Sequence, residues 1–354
     1  MHVLGIDIGF GFTKVTNGKE TLIFKSLLGD ATEIQFWADF GDAAPTDHIH
    51  VTIDEKSYFI GDLAEQQSSV LQFTLDQERL LTDYVKFLTL TAAGMLLSDE
   101  ASSSVPLNVV SGLPIGYFKE NYKRFNDLLV GHHTVTYHSP DGRQTDQKIS
   151  INEVRMVPQP MGTILNLLMD ERGKISDTEL AHKKIGVIDI GFRTTDFAIM
   201  DRLRFLNRGS KTIDTGISKG FSVIANKLRE KSSVNVELYR LYRAAETGTI
   251  SMRGHGISIS KIRDHVYSQL ATYIADEIDR LWANDWDVEV IFLSGGGSRE
   301  LASFLQPLIT GNVIPVNTSQ DLRLNNVKGY LKYGRHIWGD AGDDSMPEGE
   351  EDEG

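Results

Sequence analysis

Two short runs hold the residue types best suited to chemistry. Ile6-Asp7-Ile8-Gly9-Phe10-Gly11-Phe12-Thr13 and Ile188-Asp189-Ile190-Gly191-Phe192-Arg193-Thr194-Thr195 agree at six of eight positions and lie 182 residues apart. Each closes an apolar, strand-like run and leads into another, so each reads as strand, tight turn and strand. The first strand delivers an aspartate at its C-terminal end. The glycine that follows takes backbone conformations closed to other residues and lets the main chain approach a ligand. Successive N–H groups in such a turn form a nest for an anion. Thr13, Lys14, Thr194 and Thr195 add side-chain donors, and Gly9, Phe10, Gly11, Phe12, Gly191 and Arg193 make up the turns. Two such hairpins face to face would clamp a polyphosphate from both sides. Asp7 and Asp189 would then meet a Mg²⁺ through its waters, because Mg²⁺ gives up its hydration reluctantly. The plainer alternative is two β-hairpin turns that each carry an acid.

Other nucleotide signatures are missing. The chain has no Gly-x-x-x-x-Gly-Lys-Ser/Thr run, and Lys14 stands where a dinucleotide pattern beginning Gly9-x-Gly11 needs its third glycine. A third glycine cluster, Leu293-Ser294-Gly295-Gly296-Gly297-Ser298, ends a further apolar run. With no cysteine there is no disulfide, no thiolate nucleophile and no cysteine-bound zinc. His132, His133 and His138 have no carboxylate at helical spacing and read as surface residues. The pairs Phe10/Phe12 and Trp282/Trp286 read as packing rather than as stacking platforms. Lys227, Arg229 and Lys231 read as a solvated face.

The elements needed to position these residues alternate as in an α/β fold. Strands are expected over 3–8, 12–15 and 21–24, with Asn17-Gly18 as a two-residue turn. A hairpin is expected over 50–60 around Asp54-Glu55-Lys56, then a helix over 84–97, a strand over 107–110 and a helix over 117–129. Strands at 135–138, 148–151 and 154–157 precede a helix over 162–169. The second half repeats the plan, with strands at 185–190, 197–200 and 203–206. Helices follow over 218–231, 238–245 and 261–284, and a buried strand over 288–293. The most apolar stretch, 87–97, is too short to span a membrane.

The formal net charge is −13, and eight acidic residues with no Lys or Arg fall within 340–354. An acidic chain of this kind is not expected to bind nucleic acid directly. The acidic tail, rich in Gly as well, cannot bury enough surface to fold. It reads as a solubilising tail, a dock for a basic partner or a repulsive brush between assembled subunits. The first residues show no basic segment followed by a long apolar one, so no signal peptide is expected, and no membrane partner is expected either. A soluble, cytoplasmic protein is the expectation.

Taken together, these motifs resemble those of the actin-like ATPase superfamily. Asp7-x-Gly9-x-Gly11-x-Thr13-Lys14 resembles its first phosphate loop and Asp189-Ile190-Gly191-x-x-Thr194-Thr195 its second. Gly295, Gly296, Gly297 and Ser298 resemble its adenosine motif. Smaller runs resemble the plasmid-segregation actins of the ParM (StbA) type and archaeal actin-like proteins. They are Phe59-Ile60-Gly61-Asp62-Leu63-Ala64, Val109-Val110-Ser111-Gly112-Leu113-Pro114 and Val157-Pro158-Gln159-Pro160-Met161-Gly162.

The resemblance implies an actin-like (ribonuclease H-like) fold of two duplicated α/β halves with a nucleotide cleft between them. Residues 1–162 with 325–338 would form one half, 163–324 the other, and 339–354 a disordered acidic tail. It implies a slow Mg²⁺-dependent ATPase, with GTP left open as a substrate. Gln159 falls where the family orients the attacking water; it has no useful basicity, so it would position rather than abstract. A polar turn residue is the alternative there. Glu246 falls where the family contacts ribose or adenine, and Asn325-Asn326-Val327-x-Gly329 reads as a hinge. The implied function is a filament assembled head to tail, with an adaptor linking it to DNA or other cargo. A non-polymerising ATP-binding scaffold and a small-molecule kinase of the same superfamily are the alternatives.

Overall fold

The computed structural model describes residues 2–31, 44–73, 83–97, 106–315, 317 and 319–339. The acidic tail over 340–354 lies outside the described residues.

Strand β1 (His2–Ile8) is buried on both faces over Val3 to Asp7 and pairs with the antiparallel β2 (Phe12–Thr16). Next come β3 (Thr21–Lys25), β4 (Leu28–Asp30), β5 (Ile49–Ile53), β6 (Lys56–Ile60), helix α1 (Asp62–Gln67), β7 (Leu71–Gln72) and α2 (Asp83–Leu97). β8 (Leu107–Leu113), α3 (Ile115–Leu129), β9 (Gly131–His138) and β10 (Gln144–Pro158) complete the first half, and α4 (Met161–Leu168) leads into the second, where Ile164, Leu165 and Leu168 pack with Ile185 and Val187. The sheet of the first half runs β3-β2-β1-β8-β10-β9-β5-β6-β4-β7. The long α2 is buried on most sides, Leu88, Leu90, Ala92 and Ala93 among the fully buried residues, which makes it a core helix. Among the described residues no helix is long and apolar enough to cross a membrane.

After α5 (Thr178–Ala181), the second sheet begins with β11 (Lys184–Ile190), β12 (Thr195–Asp201), β13 (Arg204–Phe205) and β14 (Lys211–Ile213). Then follow α6 (Ile217–Ser232), α7 (Tyr242–Thr247), the hairpin β15 (Thr249–Met252) and β16 (His255–Ser258), α8 (Ser260–Leu281), β17 (Val290–Ser294), α9 (Gly296–Leu305) and α10 (Asn325–Trp338). The two sheets open alike. β1 has an antiparallel hairpin partner on one side and parallel β8 on the other; β11 has β12 and parallel β17 in the same places. The sequence repeat is therefore a repeat of topology.

The halves meet where α10 crosses α4. A Cβ on Gly329 would lie 1.7 Å from the Gly162 carbonyl oxygen, so only glycine permits this approach. The segment from Asn325 is thus the first turn of a 14-residue helix, not an open hinge loop. Other expectations shift for local reasons. The turn between β5 and β6 uses two residues, Asp54 and Glu55, both with positive φ, and Lys56 joins the strand. The expected helix over 238–245 is a 3₁₀ turn followed by the short α7. The strands expected at 148–151 and 154–157 are one strand, β10, with a register shift between Ile151 and Glu153. Trp282 packs as expected and donates to the Gly209 carbonyl at 2.9 Å, but Trp286 is 87% exposed. His138 is not a free surface residue, since its ring stacks on His50 at 4.1 Å.

Candidate functional site

A cleft opens where the sheets face each other, and both glycine hairpins line it. β1 turns into β2 with the Gly9 N–H on the Phe12 carbonyl at 3.1 Å. β11 turns into β12 with the Gly191 N–H on the Thr194 carbonyl at 2.9 Å. The bonds join equivalent positions, so the two turns share a backbone plan. Asp7 and Asp189, at the matching strand ends, are only 2% and 3% exposed.

Their partners differ. Asp7 Oδ2 accepts from Lys14 Nζ at 2.8 Å, directly across the hairpin, while its Oδ1 is buried with no hydrogen-bond partner. Such an oxygen is costly unless water or a cation satisfies it. Asp189 Oδ2 accepts from Asn326 Nδ2 at 2.6 Å. Burial pushes the Asp189 pKa up to about 6; the Asn326 bond and Lys14 oppose this, and the charge of Asp7 adds to it. Two buried, mutually repelling carboxylates with one orphaned oxygen fit a hydrated divalent cation. Among the described residues no group of three or more His, Cys, Asp or Glu is placed to hold a metal ion, so water would supply much of the coordination.

The far wall is the third glycine cluster. Gly295 has φ +83°, and a Cβ there would lie 2.3 Å from Asp189 Oδ1 and 2.4 Å from the Ile190 carbonyl oxygen. This glycine therefore lets the end of β17 rest directly on the second hairpin. Gly296 begins α9 on the cleft wall, where the unpaired N–H groups of a helix start favour an anion. Tyr242 packs against Phe12 at 4.8 Å and Phe192 at 5.1 Å between ring centroids. Its hydroxyl is buried without a partner, on a residue of the cleft wall. The Arg323 guanidinium lies 5.2 Å over the Phe12 ring and is forked onto Asp321, with the closest contact at 2.7 Å. Burial raises the Glu300 pKa and the charge of Glu246 adds to the shift, which marks these two carboxylates as neighbours.

Most expected site residues line this cleft, Gln159 and Glu246 among them. Gln159 sits just before α4, its N–H on the Leu113 carbonyl at 2.8 Å. Four expected residues do not line it: Thr13, Arg193, Thr195 and Ser298. Thr13 and Thr195 hold the same register position, opposite Ile8 and Ile190, and their side chains are buried away from the cleft. Thr13 Oγ1 shares a hydrogen bond with Ser26 Oγ at 2.9 Å, and Thr195 Oγ1 donates to the Thr215 carbonyl at 2.6 Å. The Ser298 hydroxyl donates to the Ser294 carbonyl. Arg193 lies over the Phe10 ring at 5.4 Å, with Asp214 at 3.6 Å. Thr13, Thr195 and Ser298 thus commit their hydroxyls to the protein's own groups, while Arg193 Nη1 is buried without a hydrogen-bond partner. Sequence reasoning missed Asn326, Tyr242, Arg323 and Glu300. The Asn325-Asn326 pair was the available signal, because polar amides before an apolar helix need buried partners.

The family comparisons agree with this geometry. The N-terminal domain family of actin-like proteins matches residues 5–162, and the archaeal actin homologue MreB-like C-terminal family matches residues 187–307. The chain is an actin-like protein. No curated protein gives a significant match to it. Three solved relatives of the actin-like chain carry its fold. The archaeal actin homologue Ta0583 is 23% identical, with a TM-score of 0.75 over 94% of this chain and 99% of its own. The ParM filament from Clostridium botulinum is 24% identical, with a TM-score of 0.78 over 95% and 99%. Bacillus thuringiensis ParM with AMPPNP is 18% identical, with a TM-score of 0.70 over 94% and 97%. Ta0583 has also been solved in complex with ADP.

Proposed function

We propose that the actin-like chain binds a nucleoside triphosphate with Mg²⁺ in this cleft, hydrolyses it slowly, and assembles head to tail into nucleotide-dependent filaments. One observation carries the reading: two hairpins of the same backbone plan present buried aspartates to one cleft, and one carboxylate oxygen there lacks a partner. The nucleotide-bound relatives and the ParM filament support it.

The turns at Gly9–Gly11 and Gly191–Thr194 would receive the phosphates through their N–H groups, with Lys14 adding a positive charge. Asp7 and Asp189 would hold Mg²⁺ through its waters. The ion, when bound, would neutralise charge on the transferring phosphate. Gln159 would orient the attacking water, and Asn326 keeps Asp189 aimed at the cleft. Gly295–Gly297, Glu246 and the Tyr242–Arg323 wall would take the nucleoside. The cleft lies, in this reading, between residues 1–162 with 325–338 and residues 163–324. Both ATP and GTP are candidates.

Heterologous contacts that do not close produce open filaments. The chain's net negative charge favours capture of DNA or other cargo through an adaptor rather than by direct contact. We place this activity in the cytoplasm, in DNA segregation or intracellular positioning.

The test is equilibrium binding of a fluorescent ATP analogue together with phosphate release, with and without Mg²⁺. The parent should bind and release phosphate only with Mg²⁺, and Asp189→Ala should lose the release. Turnover at the parent rate in Asp189→Ala contradicts the two-hairpin site. Binding and turnover with no assembly would leave a nucleotide-dependent scaffold.

A further inference from the structure

Helix α3 starts without a cap of its own. Pro114 stands at the N-cap with no side-chain hydrogen bond, and the first turn contains no acidic residue. The first N–H groups of a helix need acceptors, and the positive end of its dipole favours an anion. For α3 both come from the other half of the molecule. The Ile115 N–H donates to Asp196 Oδ1 at 2.9 Å. The Gly116 N–H donates to Thr212 Oγ1 at 2.8 Å, and the Thr212 hydroxyl donates to the same Asp196 oxygen at 2.5 Å. The Tyr117 hydroxyl adds a bond to Asp214 Oδ1 at 3.0 Å.

Asp196 belongs to the second glycine hairpin. It follows Thr194 and Thr195, pairs directly opposite Asp189, and is 2% exposed. It does not line the cleft. The bond from Thr195 Oγ1 to the Thr215 carbonyl ties this arm to the segment that carries Thr212 and Asp214. Arg193, on the turn itself, approaches at 3.6 Å the same Asp214 oxygen that Tyr117 bonds. The hairpin thus reaches α3 by two routes.

We propose that Asp196 is a positioning residue, a latch that ties the second hairpin to α3 of the opposite half, so that occupation of the hairpin sets how tightly the cleft closes. The nucleotide dependence rests on the function proposed above; the latch itself does not. An aspartate that merely satisfied a local hydrogen bond would not govern the separation of the halves.

The chain has no cysteine, so two introduced ones report without background. Spin labels at Lys123→Cys on α3 and Arg229→Cys on α6, both exposed, give an interdomain distance by pulsed EPR. Without nucleotide the labelled parent should give a narrow distribution, and Asp196→Ala a broader and longer one. Ile115→Pro removes one donor at a helix position where proline is tolerated, and should broaden the distribution too. Asp196→Asn keeps an acceptor oxygen and should fall between; it carries the test with Ile115→Pro if the alanine variant does not fold. With saturating Mg²⁺-AMPPNP the parent distribution should shift. Asp196→Ala should bind the analogue within about threefold of the parent affinity yet show no shift, and lose kcat rather than raise KM. Parent-like distributions for Asp196→Ala and Ile115→Pro in both states overturn the latch. A parent that binds no nucleotide overturns the proposed function, and the nucleotide-free comparison then decides the latch.

Discussion

Replacing Asp189 with asparagine should stabilise the nucleotide-free protein while removing its hydrolytic activity. The fold moves the Asp189 pKa up from 3.8 to about 6. A folded pKa above the unfolded one means the folded state holds the proton more tightly, so its ionised form is the one the fold disfavours. A shift of about two units at roughly 1.4 kcal/mol each is a penalty of about 3 kcal/mol. The sign sets the pH window. Below about pH 4 both states keep the proton and the penalty is absent; it accrues as pH rises and is complete above about pH 6. The Asp189→Asn amide removes the charge that faces Asp7, and its carbonyl oxygen can still accept from Asn326. The variant should therefore be about 2–3 kcal/mol more stable at pH 7.5, and the gap should close towards pH 4. Thermal or denaturant unfolding with a chelator and no nucleotide, across that pH range, reads the difference directly. Mg²⁺-nucleotide at about 1,000 times Kd should then reverse the order, since it stabilises the parent by about 4.1 kcal/mol and the variant cannot use it. A variant less stable than the parent at pH 7.5, or a gap that does not change with pH, would refute this electrostatic account.

Four other substitutions have defined outcomes. Gln159→Ala should lower kcat by about ten- to a hundredfold, in phosphate-release assays, with nucleotide affinity unchanged, because it removes water positioning alone. Gly295→Ala places a Cβ 2.3 Å from Asp189 Oδ1 at a φ of +83°, so unfolding should show a loss of about 2 kcal/mol or more. Its nucleotide affinity should fall with it, in the fluorescent-analogue titration. Trp286→Ser should leave stability within about 0.5 kcal/mol of the parent, whereas Trp282→Ala, which empties a buried site and frees the Gly209 carbonyl, should cost about 3–5 kcal/mol.

The fold and the cleft were legible because local chemistry made them so. A strand ending in Asp-Ile-Gly can be recognised within eight residues, and its recurrence foretold the matching openings of the two sheets. What the sequence hid depends on contacts between distant segments. Thr13 and Thr195 look like phosphate donors in a motif, but strand alternation turns their hydroxyls to Ser26 and Thr215. Asn326 lies 137 positions from Asp189, and nothing local to either residue announces their bond. Gly162 and Gly329 matter because two helices cross there, which a linear reading cannot locate. The start of α3 offered a clue in its missing cap, yet only the folded chain supplies Asp196. The helix from Asn325 was hidden by polar residues at its start, although its later turns bury Tyr330 and Leu331.

The central claim is that nucleotide in this cleft controls self-assembly. High-speed sedimentation with light scattering tests it most directly, using Mg²⁺-ATP, Mg²⁺-AMPPNP, Mg²⁺-ADP and no nucleotide. Scattering should rise and then decay with Mg²⁺-ATP, persist with AMPPNP and stay low with ADP or no nucleotide, and filaments should be found in the pellet. Protein that binds Mg²⁺-ATP yet remains in the supernatant at high concentration in every condition would contradict it.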